Sequence, residues 1–326
     1  MNRLIRCMTT ALLFSAPLAA PLFAAEAWPS RPIKLVVPTG PGAATDVIAR
    51  LIADALSRKL DKPMVVDNKA GASGITAHQS VAKADPDGYT LLFTNTSGMA
   101  SNLVSFKELP YDPRKDFTAV ALIATLAPQM LSVYADLPIR NVAEFAAYAK
   151  ANPGKGSVAY DTTAGAAAFA AKLLNKRAAL DLIEVPYKSA AQMTQDMASG
   201  RVSAMMSSIA VADALVKAGK LRRLAVTSGK RFPGLPDLPA LSESMPGVVM
   251  NGWFAIVAPA GTARPIVDRL NREIGDYLKE PEIQKRLISY GISTEGAGTP
   301  ESATSYIAQE QRQWDVLAKE LDIERQ

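Results

Sequence analysis

The chain has 326 residues, of which 48% are hydrophobic and 21% are charged, and its formal net charge at pH 7 is +5. This composition is that of a globular protein and excludes an intrinsically disordered chain. The length predicts two domains, because single domains cluster near ~100 to 150 residues. Lys and Arg are dispersed through helical segments and not clustered with aromatic residues, so nucleic-acid binding is not expected, whereas a net positive charge favours anionic ligands.

The N-terminal segment 1–27 has the pattern of a secretory signal peptide. Arg3 and Arg6 precede an apolar stretch, and small residues in Ala25 to Ala27 occupy the positions that signal peptidase reads. We therefore predict that this segment is removed, that the mature chain starts at Trp28 and that it lies in the periplasm. A membrane anchor is the alternative, but prolines interrupt the apolar run, which is short for the ~20 residues of a span.

Predicted strands and helices alternate after this segment. Ile33 to Val37 has the dense β-branched run of a strand buried on both faces, and apolar residues at helical spacing follow from Val47 to Leu56. Met64 to Asn68 predicts a second strand, GITAHQSVAKA a helix, and Tyr89 to Asn95 a third strand. This alternation indicates an α/β fold with a doubly wound sheet, whose ligands bind beyond the carboxyl ends of the strands.

A second set of elements follows the segment APQMLSVYADLP. It starts with the helix VAEFAAYAKA and alternates strands and helices as far as the strand RRLAVTS. The segment KRFPGLPDLPALSESMPG predicts an irregular surface loop, WFAIVAPAG a further strand, and the helical pattern after it is interrupted at Pro281. Two sets followed by a return of the chain predict two lobes with a ligand cleft between them.

The turn after the first strand, GPGAAT, resembles a dinucleotide-binding turn. Three observations count against a nucleotide: Thr45 replaces the third glycine, Pro38 and Pro41 stiffen the turn, and an exported chain meets no nicotinamide pool. The free N–H groups and the dipole of the following helix would still attract a small anion such as a carboxylate. Thr45 and Asp46 equally fit ordinary caps of that helix.

The sequence shows no recognisable arrangement for catalysis or metal binding. The sole histidine, His78, lies in a helical segment and is predicted to face solvent, and the sole cysteine, Cys7, lies in the signal peptide. The run DPDG at Asp85 to Gly88 resembles part of a calcium loop, but its proline favours a tight turn. A hydrolase that uses Ser189 with Lys188 is disfavoured because adjacent side chains diverge. We therefore expect no enzyme, no cofactor and no metal.

Several segments resemble the receptors of tripartite tricarboxylate transporters, also called the Bug family. They include WPSRPIKLVVPTGPGAATDVIARLIADALSRKL, MVVDNKAGASG, LPYDPRKDFTAVALIA and VPYKSAAQMTQDMASGRVSAMM, in the family's order from Trp28 to about Ile307. The resemblance implies a type 2 periplasmic binding protein fold with two α/β lobes, one formed by residues 28–128 and 254–326 and the other by residues 129–253. The chain would cross the hinge between them twice.

The function that this resemblance implies is that of a receptor without enzymatic activity. It would bind a small, carboxylated molecule in the cleft and deliver it to a membrane permease, and we expect it to be a monomer. The alternative is a ligand-sensing co-receptor that docks onto a membrane kinase.

The resemblance also places ligand contacts in loops of both lobes. Thr39 replaces an aromatic residue of the family's first loop, Ala168 stands where a histidine is common, and Ser207 and Ser208 stand where an acid or asparagine is common. Hydroxyls in place of a charge favour an anionic or neutral ligand over a cationic amine, although each Ser or Thr alone also fits an ordinary turn or cap. The expected contacts are Thr39, Gly42, Ala43, Ala44, Thr45, Asp46, Thr94, Thr96, Ser97, Thr162, Thr163, Ala164, Gly165, Ser207 and Ser208.

Overall fold

The architecture is that of a computed structural model, which describes residues 28–161, 164–187 and 189–325. The strands of these residues are β1 (Ile33–Val37), β2 (Met64–Asn68), β3 (Thr90–Asn95), β4 (Phe117–Tyr134), β5 (Ser157–Tyr160), β6 (Ile183–Pro186), β7 (Ala204–Ser208), β8 (Leu221–Val226) and β9 (Asn251–Pro259). The helices are α1 (Ala44–Leu60), α2 (Ile75–Ala82), α3 (Asn102–Ser105), α4 (Val142–Ala151), α5 (Ala166–Arg177), α6 (Ala190–Ala198), α7 (Ile209–Lys217), α8 (Arg264–Leu278), α9 (Pro281–Ser289) and α10 (Pro300–Glu320). A π-helical turn covers Ser97–Ser101. The predicted signal peptide lies outside the described residues.

The first lobe is built on a sheet in the order β2-β1-β3-β9, in which β1 pairs with β2 and β3 in parallel and β9 runs antiparallel to β3. Helix α1 covers this sheet because its apolar residues recur on one face, and Ile48, Ile52 and Leu56 are almost completely buried there. The strands β1 and β2 have the bounds predicted from the sequence. Parallel strands place their carboxyl ends at one edge, where the following helices begin.

The second lobe repeats this arrangement. Strands β7, β5 and β6 are parallel neighbours, and β7 and β8 both pair antiparallel with β4. The mixed α/β fold predicted from the sequence is thus confirmed. Among the described residues, no helix has both the length and the apolar character that crossing a bilayer requires.

Strand β4 belongs to both lobes. From Phe117 to Pro128 it pairs with β9, and from Gln129 to Tyr134 it pairs with β7 and β8. A strand of 18 residues was not predicted, because a proline in a central strand argues against a strand and the apolar run shows no alternation. The register of β4 against β9 shifts between residues 119 and 127, which accommodates the irregularity. The change of partner supports a lobe boundary near Pro128, which stays a prediction.

Helix α10 packs against elements of both lobes. It packs against β4 and the π-helical turn, and its Trp314 contacts Phe169 of α5 edge to face, with ring centroids 4.5 Å apart. Arg177 at the end of α5 donates to both carboxylate oxygens of Glu320, each at 2.7 Å. The last helix therefore contacts elements of both lobes.

Candidate functional site

A cavity of about 150 Å³ lies between the two lobes, at the carboxyl ends of β3, β5 and β7. It is bounded by the first turns of two helices, by the middle of β4, by β9 and by the segment after α9. Its lining residues are Ala44, Thr45, Asn95, Thr96, Ser97, Ala127, Pro128, Gln129, Asp161, Gly165, Ala166, Ala167, Ser208, Gly252, Trp253, Phe254, Tyr290, Gly291 and Ile292. Both lobes and their connection thus contribute to one partly open cavity, whose volume suits a small ligand.

Three helices of the described residues, α1, α5 and α7, begin at this cavity. Their N-cap residues are Ala43, Gly165 and Ser208, and in the part of the chain that the structure describes no side chain caps any of them. The N–H groups of a helix's first turn have no partner within the helix, and the dipole makes that end positive. Such ends bind carboxylates and other small anions without a cationic side chain.

The loop before α1 is held by a buried carboxylate. Asp46 accepts hydrogen bonds from the Gly42 N–H at 2.9 Å, from Arg50 Nε at 3.1 Å and from Asn68 Nδ2 at 2.8 Å. Asn68 Nδ2 also donates to the Thr39 carbonyl at 2.9 Å. Burial alone raises the pKa of Asp46, but these hydrogen bonds outweigh burial and hold the pKa below its usual value. Asp46 does not line the cavity, so its role in the structure is to fix the loop.

His78 is buried in the first lobe and does not line the cavity. Its side chain is fully buried, so the prediction that it faces solvent is wrong. Nδ1 lies 2.8 Å from the Gly74 carbonyl, which only accepts, so Nδ1 donates and Nε2 accepts from Thr94 Oγ1 at 2.7 Å. The ring stacks on Tyr111, whose hydroxyl donates to the Gly98 carbonyl at 2.8 Å. Burial lowers the pKa of His78 to about 4. The helical pattern gave no sign that α2 turns this residue toward the core.

The structure separates the expected ligand contacts into groups. Those that line the cavity are Ala44, Thr45, Thr96, Ser97, Gly165 and Ser208. Those that lie outside its lining are Thr39, Gly42, Ala43, Asp46, Thr94, Ala164 and Ser207. Thr162 and Thr163 lie outside the described residues. The ligand role of the whole set stays a prediction.

Some of these residues have partners within the protein. The Thr94 hydroxyl is engaged by His78, and Thr96 Oγ1 accepts from the Trp253 N–H at 2.9 Å. Ser101 Oγ donates to the Ala164 carbonyl, which joins the π-helical turn of the first lobe to the loop before α5 of the second. The two lobes therefore touch directly beside the cavity.

Sequence reasoning missed most of the polar lining that comes from β4, β5 and α9. Gln129 and Tyr290 come from segments that gave no local signal, because only the topology brings them to the cavity. Asp161 had a signal, since it is the last residue of the predicted strand SVAYD and directly follows β5 in the structure. Burial raises the pKa of Asp161, and its own backbone N–H only partly opposes this shift. Among the described residues, no group of His, Cys, Asp or Glu is arranged to hold a metal ion.

A cavity between two α/β lobes, bounded by uncapped helix starts, is the site of a two-lobed periplasmic binding protein. The family model described as "Tripartite tricarboxylate transporter family receptor" matches residues 48–323. The chain therefore belongs to this family of solute receptors, which are binding proteins and not enzymes.

Relatives and solved structures agree with this assignment. The protein BugT of Bordetella pertussis is 32% identical over 308 residues, which are 94% of each chain. The R. palustris protein Rpa4515, solved with adipate, is 34% identical with a TM-score of 0.86, and the match covers 92% of this chain and 100% of the other. MatC from Rhodopseudomonas palustris, solved with bound malate, is 29% identical with a TM-score of 0.78, covering 89% and 99% of the two chains.

Proposed function

We propose that this chain is a periplasmic receptor that binds a small carboxylate between its lobes and delivers it to a membrane permease. The observation that carries the proposal is the convergence of the α1, α5 and α7 starts on one cavity without capping side chains. Burying a carboxylate requires several charge-assisted donors, and backbone N–H groups with hydroxyls supply them. The adipate and malate bound to two solved relatives support a carboxylate as the ligand.

The ligand contacts that we propose come from both lobes. Thr45 and Ser97 offer hydroxyls from the first lobe, and Gly165 and Ser208 offer a helix start and a hydroxyl from the second. Thr162 and Thr163, which lie outside the described residues, are retained as proposed contacts. Asp46 and Thr94 act indirectly, because their side chains are engaged within the protein.

Ligand binding and lobe closure are coupled in this proposal. With residues 28–128 and 254–326 in one lobe and 129–253 in the other, a ligand that touches both lobes binds the closed arrangement more tightly and shifts its population. Small-angle scattering should show a smaller radius of gyration when a confirmed ligand is added. An unchanged radius with bound ligand would contradict the closure mechanism.

Export and the partner complete the proposal. Removal of residues 1–27 would place the receptor in the periplasm, where the mass of the purified chain should correspond to a start at Trp28. A chain that keeps the first 27 residues would contradict export by cleavage.

The membrane partner that the family implies is a permease, and a membrane kinase is the second candidate. Cross-linking in membranes followed by co-purification would show which of the two binds the receptor.

The test of the function is a thermal-unfolding screen of protein purified from the periplasm after expression of the full chain. Small carboxylates are compared with their uncharged amides, which keep the size and remove the charge. At 100 times the dissociation constant, a ligand stabilises the folded state by ~2.7 kcal/mol. We expect carboxylates to raise the unfolding midpoint and their amides not to. No shift with any carboxylate, together with no small carboxylate released on denaturation and detected by mass spectrometry, would overturn the proposal.

A further inference from the structure

Asp161 differs from every other group that lines the cavity. It is the only carboxylate among the described lining residues, which include no Lys, Arg or His. It stands at the carboxyl end of β5, ahead of the α5 start. The remaining polar lining consists of hydroxyls, amides and backbone groups. The cavity therefore combines a donor-rich anion site with one group that, when ionised, only accepts hydrogen bonds.

The carboxylate of Asp161, which is half-buried, lacks the described side-chain donors that the buried Asp46 has. Asp46 receives hydrogen bonds from Gly42, Arg50 and Asn68 and does not line the cavity. No described side chain donates to Asp161. The opposite pKa shifts of the two groups, lowered for Asp46 and raised for Asp161, agree with this difference in pairing. Among the described side chains Asp161 thus has no donor, and a ligand in the cavity can supply one.

The chemistry of the ligand follows from the cost of closing the cleft. An ionised carboxylate that loses water without gaining a partner is strongly unfavourable. A second carboxylate of the ligand beside Asp161 would add repulsion between like charges, whereas a protonated amine would supply a charge-assisted hydrogen bond. The helix starts still require an anion elsewhere on the same molecule.

We propose that Asp161 selects ligands that carry a protonated amine as well as a carboxylate, with the amine at Asp161 and the carboxylate at the helix starts. This inference rests on the proposed function and narrows its ligand class to small amino-carboxylates. It reverses the expectation, drawn from the hydroxyls of Ser207 and Ser208, that a cationic amine is disfavoured. The cavity volume of about 150 Å³ suits a small amino-carboxylate.

The test uses pairs of compounds that differ only in the amine: succinate with aspartate, glutarate with glutamate, and propionate with β-alanine. Affinities are measured by calorimetry on protein purified from the periplasm after expression of the full chain, unfolded to release bound ligand and refolded. We expect the wild type to prefer the amine-bearing member of at least one pair by about 10- to 100-fold. Asp161→Asn should remove most of that preference by weakening the amine-bearing member and leaving its plain partner unchanged or tighter.

Two controls isolate Asp161. Asp181→Asn removes an exposed aspartate of the second lobe that does not line the cavity, and it should leave the preference unchanged. Lys188→Met tests whether Lys188, which lies outside the described residues, pairs with Asp161 within the protein. If a preference for the amine appears only in Lys188→Met, Lys188 neutralises Asp161 in the wild type. This result would overturn the proposal.

The outcomes separate this inference from the function on which it rests. Plain carboxylates that bind the wild type as tightly as their amino partners would overturn the role of Asp161 and leave the carboxylate receptor intact. A preference for the amine that persists in Asp161→Asn would assign the amine to another group and also overturn it. Binding of no carboxylate of either kind would remove both proposals.

Discussion

The two sides of the cleft differ in how their loops are held. The first-lobe rim, residues 38–46 and 94–97, is fixed by side chains, because Asp46 ties its loop and His78 supports the end of β3. The second-lobe rim, residues 161–165 and 207–208, has a hydrogen bond from Ser101 to a backbone carbonyl but no side-chain cap on α5 or α7 among the described residues. One rim is therefore fixed by several side-chain hydrogen bonds, whereas the described helices α5 and α7 of the other rim begin without a side-chain cap.

This difference suggests that the first-lobe rim contributes mainly to stability and the second-lobe rim mainly to ligand binding. Groups that are satisfied within the protein contribute to folding and present a preformed surface, which lowers the ordering cost of binding. Groups left unsatisfied gain most when a ligand pairs with them. Substitutions in the first-lobe rim should therefore lower stability, and substitutions in the second-lobe rim should mainly lower affinity.

The largest effect is expected from Gly98→Ala, which attacks the support of the first-lobe rim. An added Cβ would lie 1.8 Å from His78 Nε2, so the ring must move and its hydrogen bond with Thr94 breaks. We expect the free energy of unfolding to fall by about 4 kcal/mol, from overpacking and a lost buried hydrogen bond together. Urea denaturation measures it. Gly40→Ala is the matched control, because a Cβ there meets no atom within 4 Å; an equal loss in both variants would contradict the explanation.

A second test uses the pH dependence of stability. The pKa of His78 is about 4 in the folded chain against 6.5 as the ordinary value, so between these values the unfolded chain binds the proton and the folded chain does not. Stability should fall as the pH is lowered from about 6.5 to 4, by about 3 kcal/mol in total. The raised pKa values of Asp161 and Glu310 act in the opposite direction. The wild type is therefore compared with His78→Gln, and identical slopes in this window would count against the assignment.

Asp46→Asn probes the loop of the first-lobe rim. The substitution weakens the acceptor shared by the Gly42 N–H, Arg50 and Asn68, and we expect a loss of about 2 kcal/mol. The wild-type advantage should disappear in acid, because a lowered pKa contributes stability that is present above the usual value and lost as the pH falls through the folded value. Asp54→Asn, an exposed change on the same helix, should be neutral. Equal stability losses in the two variants would contradict the role of Asp46 in fixing the loop.

The smallest effect on stability is expected in the second-lobe rim. Ser208→Ala removes a hydroxyl that lines the cavity and caps nothing, so the free energy of unfolding should change by less than about 0.5 kcal/mol. Affinity for a bound carboxylate should fall about tenfold. Ser199→Ala, an exposed serine outside the cavity, should change neither. An unchanged affinity in Ser208→Ala would show that the two rims do not divide their roles in this way.

Local sequence was sufficient where a single segment carries the whole signal. The strands Ile33–Val37 and Met64–Asn68 and the helix Val142–Ala151 have the predicted bounds, because apolar runs and a cap mark their ends. The cap of the helix is Asn141, whose side chain accepts from the Glu144 N–H at 2.8 Å. These features depend on neighbours along the chain and not on the fold.

The cavity could be predicted only in part because it depends on contacts between distant segments. Thr45 in the first turn of α1 and Ser208 at the end of β7 were expected at the carboxyl edge. Gln129 and Tyr290 reach the cavity only through the path of β4 and α9. His78 was misassigned because a lone polar residue in a helix is normally exposed, and its buried partners Thr94 and Gly74 were not apparent from the sequence. Periodicity reports which face of a helix is apolar and not which polar residue the core accepts.

The shared strand β4 determines what kind of motion the lobes can make. A connection through loose linkers would allow the halves to swing freely, but a continuous strand with ladder partners on both sides of Pro128 resists shearing and yields mainly by torsion. Pro128 has no N–H to donate to a neighbouring strand, and the register of β4 against β9 shifts just before it. We therefore expect the segment of β4 next to Pro128, which lines the cavity, to deform most easily. In the proposed closure, we expect β4 to deform mainly at this segment, next to the proposed ligand site.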